Sequence, residues 1–173
     1  MINPFAIFDL PVAFNVDQAI LSERYLALQK SLHPDNFVTA DAQEQRIAMQ
    51  KSTEVNDALK TLKDPILRAE AIITLNTGEA QDLEQKSTQD VAFLMQQLEW
   101  REELENIEQS QDENALESFA KRVKKETKEM LTALEEQLNE QQWSTAAQFC
   151  DKLRFLKKLA DEISQVEERL FEL

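Results

Sequence analysis

Apolar residues recur along most of this chain at intervals of three and four, the spacing of one face of an α-helix. The first half shows the pattern in short pieces. Asn3-Pro4 can open a brief helix running to about Asp9, with proline at its first position. Asp17 is placed to cap a second helix ending near Leu32, whose residues Leu21, Tyr25, Leu28 and Leu32 form one stripe. Pro34 disfavours helical geometry at His33 and should stop that helix. Asp41 can cap a third, with Ile47, Val55, Leu59 and Leu62 available to face the second, up to Asp64-Pro65. Ile66 to Leu75 makes one more short segment. In the second half the pattern runs long: Thr88 to Gln109, Asp112 to Asn139 and Ser144 to Leu170 read as three helices, broken only by the polar stretches at Ser110-Gln111 and Glu140-Gln141-Gln142. Connections this short make neighbours antiparallel, so a three-helix bundle follows.

Composition agrees with an all-α fold. The single glycine is Gly78, all four prolines lie in the first 65 residues, and Leu, Ala, Glu, Gln and Lys, which lose little rotamer freedom in a helix, are abundant. After Gly78 the chain has neither glycine nor proline, so it should divide in the polar stretch from Asn76 through Ser87. We expect one domain over 1–76, a polar linker over 77–87 and a second domain over 88–173.

Charge and residue counts narrow the function classes. The net charge is -14, with 33 acidic residues against 19 basic ones, which repels phosphate backbones and anionic membrane surfaces. No apolar run is long enough to span a bilayer, and the start of the chain has neither secretory nor transit-peptide character. One histidine and one cysteine cannot supply a His/Cys zinc site, and one glycine cannot build a phosphate-cradling loop. Cys150 alone permits no internal disulfide and fits a reducing compartment; the expectation is a cytoplasmic protein without metal, cofactor or catalysis of its own. The cluster Lys121, Arg122, Lys124, Lys125 and Lys128 reads as a solvated helix face, with Glu117 four residues before Lys121.

One tripeptide stands out. His33-Pro34-Asp35 falls between the two main helices of the first half. Pro34 fixes its own φ and restrains His33, so a partner would order little on docking. His33 sits at a helix C-terminus, and Asp35 offers a carboxylate that an arginine could grip through two hydrogen bonds.

Here the chain resembles the J-domain proteins, whose signature is His-Pro-Asp in such a loop. The flanks extend the likeness: Leu21, Tyr25 and Leu28 before it, and Val55, Ala58, Leu59, Leu62, Asp64 and Arg68 after it. The second half is similar to the HscB family, the J-proteins of iron–sulfur cluster assembly. This rests on Phe93-Leu94-Met95-Gln96-Gln97-Leu98-Glu99, Arg101-Glu102-Glu103-Leu104, Glu117-Ser118-Phe119 with Lys121-Arg122-Val123-Lys124-Lys125, and Lys152-Leu153-Arg154-Phe155-Leu156. The resemblance implies an N-terminal J-domain, a helical hairpin with an exposed His-Pro-Asp loop, that docks on an HscA-type chaperone ATPase through His33, Pro34 and Asp35 with Arg24 and Lys30. It implies a C-terminal bundle that binds the scaffold protein IscU through Leu94, Met95, Leu98, Glu99, Glu102 and Phe155. Read without the resemblance, Leu94, Leu98 and Phe155 serve equally well as bundle core. Two departures matter. The second helix, strongly basic in many J-domains, keeps only Arg24 and Lys30, and Asn36 stands where lysine is frequent, so electrostatic steering should be weak.

Overall fold

The computed structural model describes residues 2–78 and 90–171. All regular structure among them is helical: α1 (Pro4–Ile7), α2 (Gln18–Ser31), a 3-10 turn (Pro34–Phe37), α3 (Ala42–Lys63), α4 (Pro65–Thr77), α5 (Val91–Ser110), α6 (Glu113–Asn139) and α7 (Trp143–Phe171). The chain divides into two compact units, Met1–Glu79 and Ala80–Leu173.

Short polar side chains start most of these helices. Asp17 accepts from the backbone N–H groups of Ala19 and Ile20, Asp41 from Glu44, Asp64 from Ile66 and Leu67, Asp90 from Phe93 and Asp112 from Ala115. Each satisfies amides that the helix leaves orphaned, a contribution of about 1 kcal/mol per cap. Helix ends follow a different rule. Gly78, at φ 76°, closes α4 by donating its N–H to the Thr74 carbonyl at 2.8 Å. The two connections of the second unit have no glycine, and Gln111 and Gln141 take the left-handed conformation instead, at φ 54° and 59°. An L-residue there costs roughly 1–2 kcal/mol, offset by the packing of the helices it joins.

In the first unit, α3 is the central element, touching α1, α2, α4 and the 3-10 turn. Its inward residues are Ala48, Val55, Ala58 and Leu62, which meet Phe5, Phe8, Leu21, Ile66, Ala69 and Ile73 in the core. Ile47, expected to face α2, is exposed; Ala48 takes that place because 48, 55 and 62 share one face and its small side chain lets the backbones approach. The last segment also runs beyond the expected Leu75, to Thr77, so the stretch expected as linker begins within a helix. The remainder of that stretch, 79–87, and the expected helix start at Thr88 lie outside the described residues.

Arg68 is buried within this core. Its Nη1 donates to the Leu62 carbonyl at 2.7 Å, near the end of α3, and its guanidinium lies 4.9 Å from the centre of the Phe14 ring. Burial lowers its pKa, with Asp64 acting in the opposite direction. Truncation to alanine removes the hydrogen bond and the ring contact together. Arg68→Ala should therefore cost the first unit about 2–3 kcal/mol, measured as the shift in its urea midpoint.

The second unit is built on α6 and α7. Leu116, Phe119, Val123, Leu134 and Leu138 pack against a continuous stripe on α7 running from Ala146 through Cys150, Leu153 and Leu159 to Val166. Helix α5 adds Phe93, Leu104 and Ile107 to this core. Arg101 bonds Glu162 and Arg169 bonds Glu108, each pair 61 residues apart, a constant offset that makes α5 and α7 parallel. The bundle is thus up-down-up, as the short connections require.

Candidate functional site

Each unit exposes a candidate surface that includes residues singled out in the sequence. The first is the corner between α2 and α3. Leu32 ends α2, donating its N–H to the Leu28 carbonyl, and His33 turns to φ -59°, ψ 139°, the extended geometry that a following proline demands. The chain then winds through the 3-10 turn, closed by Asn36 N–H donating to the His33 carbonyl at 2.9 Å. The His33 side chain folds back over this turn. Its Nδ1 accepts from the Asp35 backbone N–H at 3.2 Å and lies 3.5 Å from the Asp35 carboxylate. An accepting Nδ1 defines the tautomer in which Nε2 carries the proton, so Nε2 is left as a donor to a partner.

Neighbouring side chains hold the corner in shape. Asn36 donates its amide to the Lys30 and Ser31 carbonyls at 2.8 and 3.3 Å, capping the exposed end of α2. Gln45 reaches from α3 to the carbonyls of Phe37 and Ala40. Tyr25 and Gln29 both donate to the Asn56 side chain, tying α2 to α3. The motif itself stays open to solvent: the side chains of His33 and Asp35 are 60% and 86% exposed. A fixed, exposed donor beside a carboxylate, with its backbone already ordered, suits recognition by another protein.

Two residues expected to assist behave differently. Lys30 is exposed in the last turn of α2. Arg24 is half-buried and its Nη1 donates to the carbonyls of Phe8 and Asp9 at 2.8 and 2.6 Å, where α1 ends and Asp9 turns to φ 52°. The guanidinium therefore holds α1 to α2. A missing donor for those carbonyls was the signal, and it is visible only once the turn at Asp9 is known.

The second surface is the outer face of α5. With Phe93, Leu104 and Ile107 turned inward, Met95 and Leu98 are left 57% and 68% exposed, with Glu99 and Glu102 beside them and Leu94 half-buried at the edge. Val91, not anticipated from the sequence, is exposed one turn earlier on the same face. Phe155 is not part of this surface. It is 8% exposed, and its ring meets Phe93 edge-on with centroids 5.9 Å apart. The Arg101 guanidinium covers it at 5.5 Å and is fixed in turn by Glu162. Phe155 thus seats α5 on α7, and the open question between core and surface resolves differently for each residue of the set.

Three residues of the basic cluster on α6, Lys121, Arg122 and Lys125, are paired with carboxylates. Arg122 grips Glu103 of α5 through two hydrogen bonds of 2.7 Å and stacks near Phe119 and Trp100. That bonding holds the Glu103 carboxyl below its usual range. Lys121 pairs with Glu117 at 3.3 Å and Lys125 with Glu129 at 4.0 Å. Among the described residues no group of three His, Cys, Asp or Glu is placed to hold a metal ion, and no helix is long and apolar enough to cross a membrane.

A helical hairpin with an exposed His-Pro-Asp corner, followed by a three-helix bundle, defines a J-domain co-chaperone. Comparison with known proteins gives the family. Residues 89–164 match the family model described as the HSCB C-terminal oligomerisation domain. A co-chaperone protein HscB homolog of Haemophilus influenzae is 70% identical over 173 residues, covering 100% of this chain and 99% of its own. One from Pasteurella multocida is 61% identical over 98% of this chain and 99% of its own. Among solved structures, chaperone HscB from Vibrio cholerae superposes with a TM-score of 0.94 at 42% identity, over 98% of this chain and 100% of that one. Human co-chaperone protein HscB gives 0.87 at 28% identity, over 98% and 84%. The chain belongs to the HscB co-chaperone family.

Proposed function

We infer that this protein stimulates ATP hydrolysis by an HscA-type chaperone and delivers an IscU-type iron–sulfur scaffold to it, assisting cluster transfer in the cytoplasm. The observation that carries the reading is the pre-ordered, solvent-exposed His33-Pro34-Asp35 corner in a chain of the HscB family. Docking of that corner would favour the hydrolysis-competent conformation of the ATPase. Such an effect is a coupling between conformations, and the chain itself carries out no chemistry. The outer face of α5, apolar at Met95 and Leu98 and rimmed by Glu99 and Glu102, supports the scaffold-binding half of the reading. Two binding sites on one chain raise the local concentration of client at the ATPase.

Single-turnover hydrolysis tests this. An HscA-type ATPase should turn over faster when the chain is added, and faster again when IscU is added with it. A rate that the chain leaves unchanged, with or without IscU, overturns the function.

A further inference from the structure

Helix α5 is fastened unevenly to the rest of its unit. Of its twenty residues only Phe93, Leu104 and Ile107 are buried. No residue from Leu94 to Glu103 is buried, and this is the stretch that carries Leu94, Met95, Leu98, Glu99 and Glu102. Packing beneath it is incomplete as well. A hollow of about 20 Å³, close to the room one water needs, is lined by Phe93, Gln96, Trp100, Met130 and Phe155 among others. Apolar burial concentrated at the two ends of a helix holds its axis more firmly than its rotation. A roll of about 20° moves a side-chain tip by roughly 2 Å, because such tips lie about 5–6 Å from the axis. A binding face has to be held more closely than that.

Two ion pairs supply the restraint. Successive residues of an α-helix are turned by about 100°, so positions 101 and 103 stand about 160° apart, on opposite flanks of α5, with Glu102 between them on the outer side. Arg101 reaches across one flank to Glu162 of α7 at 3.0 Å. Glu103 reaches across the other to Arg122 of α6 through two hydrogen bonds of 2.7 Å. This second pair is a fork meeting a fork: each guanidinium nitrogen takes its own carboxylate oxygen, which fixes direction as well as distance. Rings close the same group. The Arg122 guanidinium lies 5.3 Å from the centre of Phe119 and 5.9 Å from that of Trp100, and the two rings are themselves 5.9 Å apart. Trp100 and Glu103 of α5 are thus locked to Phe119 and Arg122 of α6. A pair this exposed adds little to stability. What it supplies is alignment.

We propose that Arg122 and Glu103 are positioning residues: the pair sets the roll of α5 and so aligns Met95, Leu98, Glu99 and Glu102 for the scaffold without touching it. The inference rests on scaffold binding by this face, as proposed above. The pair acts by keeping the binding-competent roll populated, and its loss lowers the apparent affinity by the fraction of chains that leave that roll.

The test uses the full chain, calorimetry with IscU well below the melting temperature, and Trp100 as a reporter. A Trp143→Phe background leaves Trp100 as the only tryptophan. Arg122→Glu should weaken IscU binding about fivefold or more. Trp100 emission should move to longer wavelength in the free chain, while helical content and melting temperature hardly change. Exchanging the charges, Arg122→Glu with Glu103→Arg, should return the affinity to within about twofold of the unaltered chain and the emission with it. A pair that is merely stabilising would lower the melting temperature of Arg122→Glu and leave the affinity alone, which overturns the assignment. An exchange that fails to restore the affinity overturns it too; where the emission nevertheless recovers, one of the two side chains touches the scaffold instead. Met95→Ala with Leu98→Ala is measured alongside. If that variant loses affinity and Arg122→Glu does not, only the positioning role falls. If it binds like the unaltered chain, the face is wrong and both readings fall.

Discussion

His33→Gln should abolish stimulation of the ATPase at every concentration of the chain while leaving its helical content and its affinity for IscU intact. The imidazole does two things that glutamine cannot reproduce together. Its Nδ1 accepts from the Asp35 backbone at 3.2 Å, which fixes the ring over the turn and leaves Nε2–H as the remaining donor. A glutamine is longer and has an additional rotatable bond, so the donor it offers is neither held nor placed. The change should not unfold the unit: His33 is an exposed side chain outside the core, and the lost hydrogen bond is worth about 1 kcal/mol. Single-turnover hydrolysis beside circular dichroism separates the two effects. Stimulation that survives at more than half its original size would remove His33 from the docking contact.

Much of this architecture could be read from the sequence because each local signal agreed with the packing. Asp17, Asp41 and Asp112 mark helix starts in the sequence, and each caps its helix. Pro34 and Pro65 mark boundaries wherever they fall. The breaks in the second unit were legible as polar stretches, although their geometry was not: nothing in the sequence says that Gln111 and Gln141 adopt a conformation usually left to glycine. The errors share one cause, in that spacing defines a face but not which face is covered. Ile47 and Ala48 are adjacent, and hydrophobicity alone favours the wrong one. Arg24 looked free because its acceptors are carbonyls sixteen and fifteen residues away, brought near by the turn after α1. Side-chain acceptors leave a trace in the sequence, and carbonyls do not.

The face of α5 proposed to bind the scaffold shows the same limit most sharply. Met95→Ala with Leu98→Ala should weaken IscU binding about 30–1,000-fold by calorimetry, from a cost of roughly 1–2 kcal/mol at each position. Both side chains are more than half exposed, so the melting temperature should hardly move. Phe155→Ala should do the reverse. Removing that ring leaves Phe93 without its edge-on contact and Arg101 without the face it covers, a cavity that should destabilise the bundle by about 3–5 kcal/mol. Any loss of binding in that variant would follow from the loosened seat of α5 and should be relieved on cooling toward the temperature of greatest stability. A loss from Met95→Ala with Leu98→Ala should persist. The two variants thus separate a residue that touches the client from one that positions the helix touching it. Unchanged affinity in the double variant, with the bundle intact, would move the scaffold site off this face of α5.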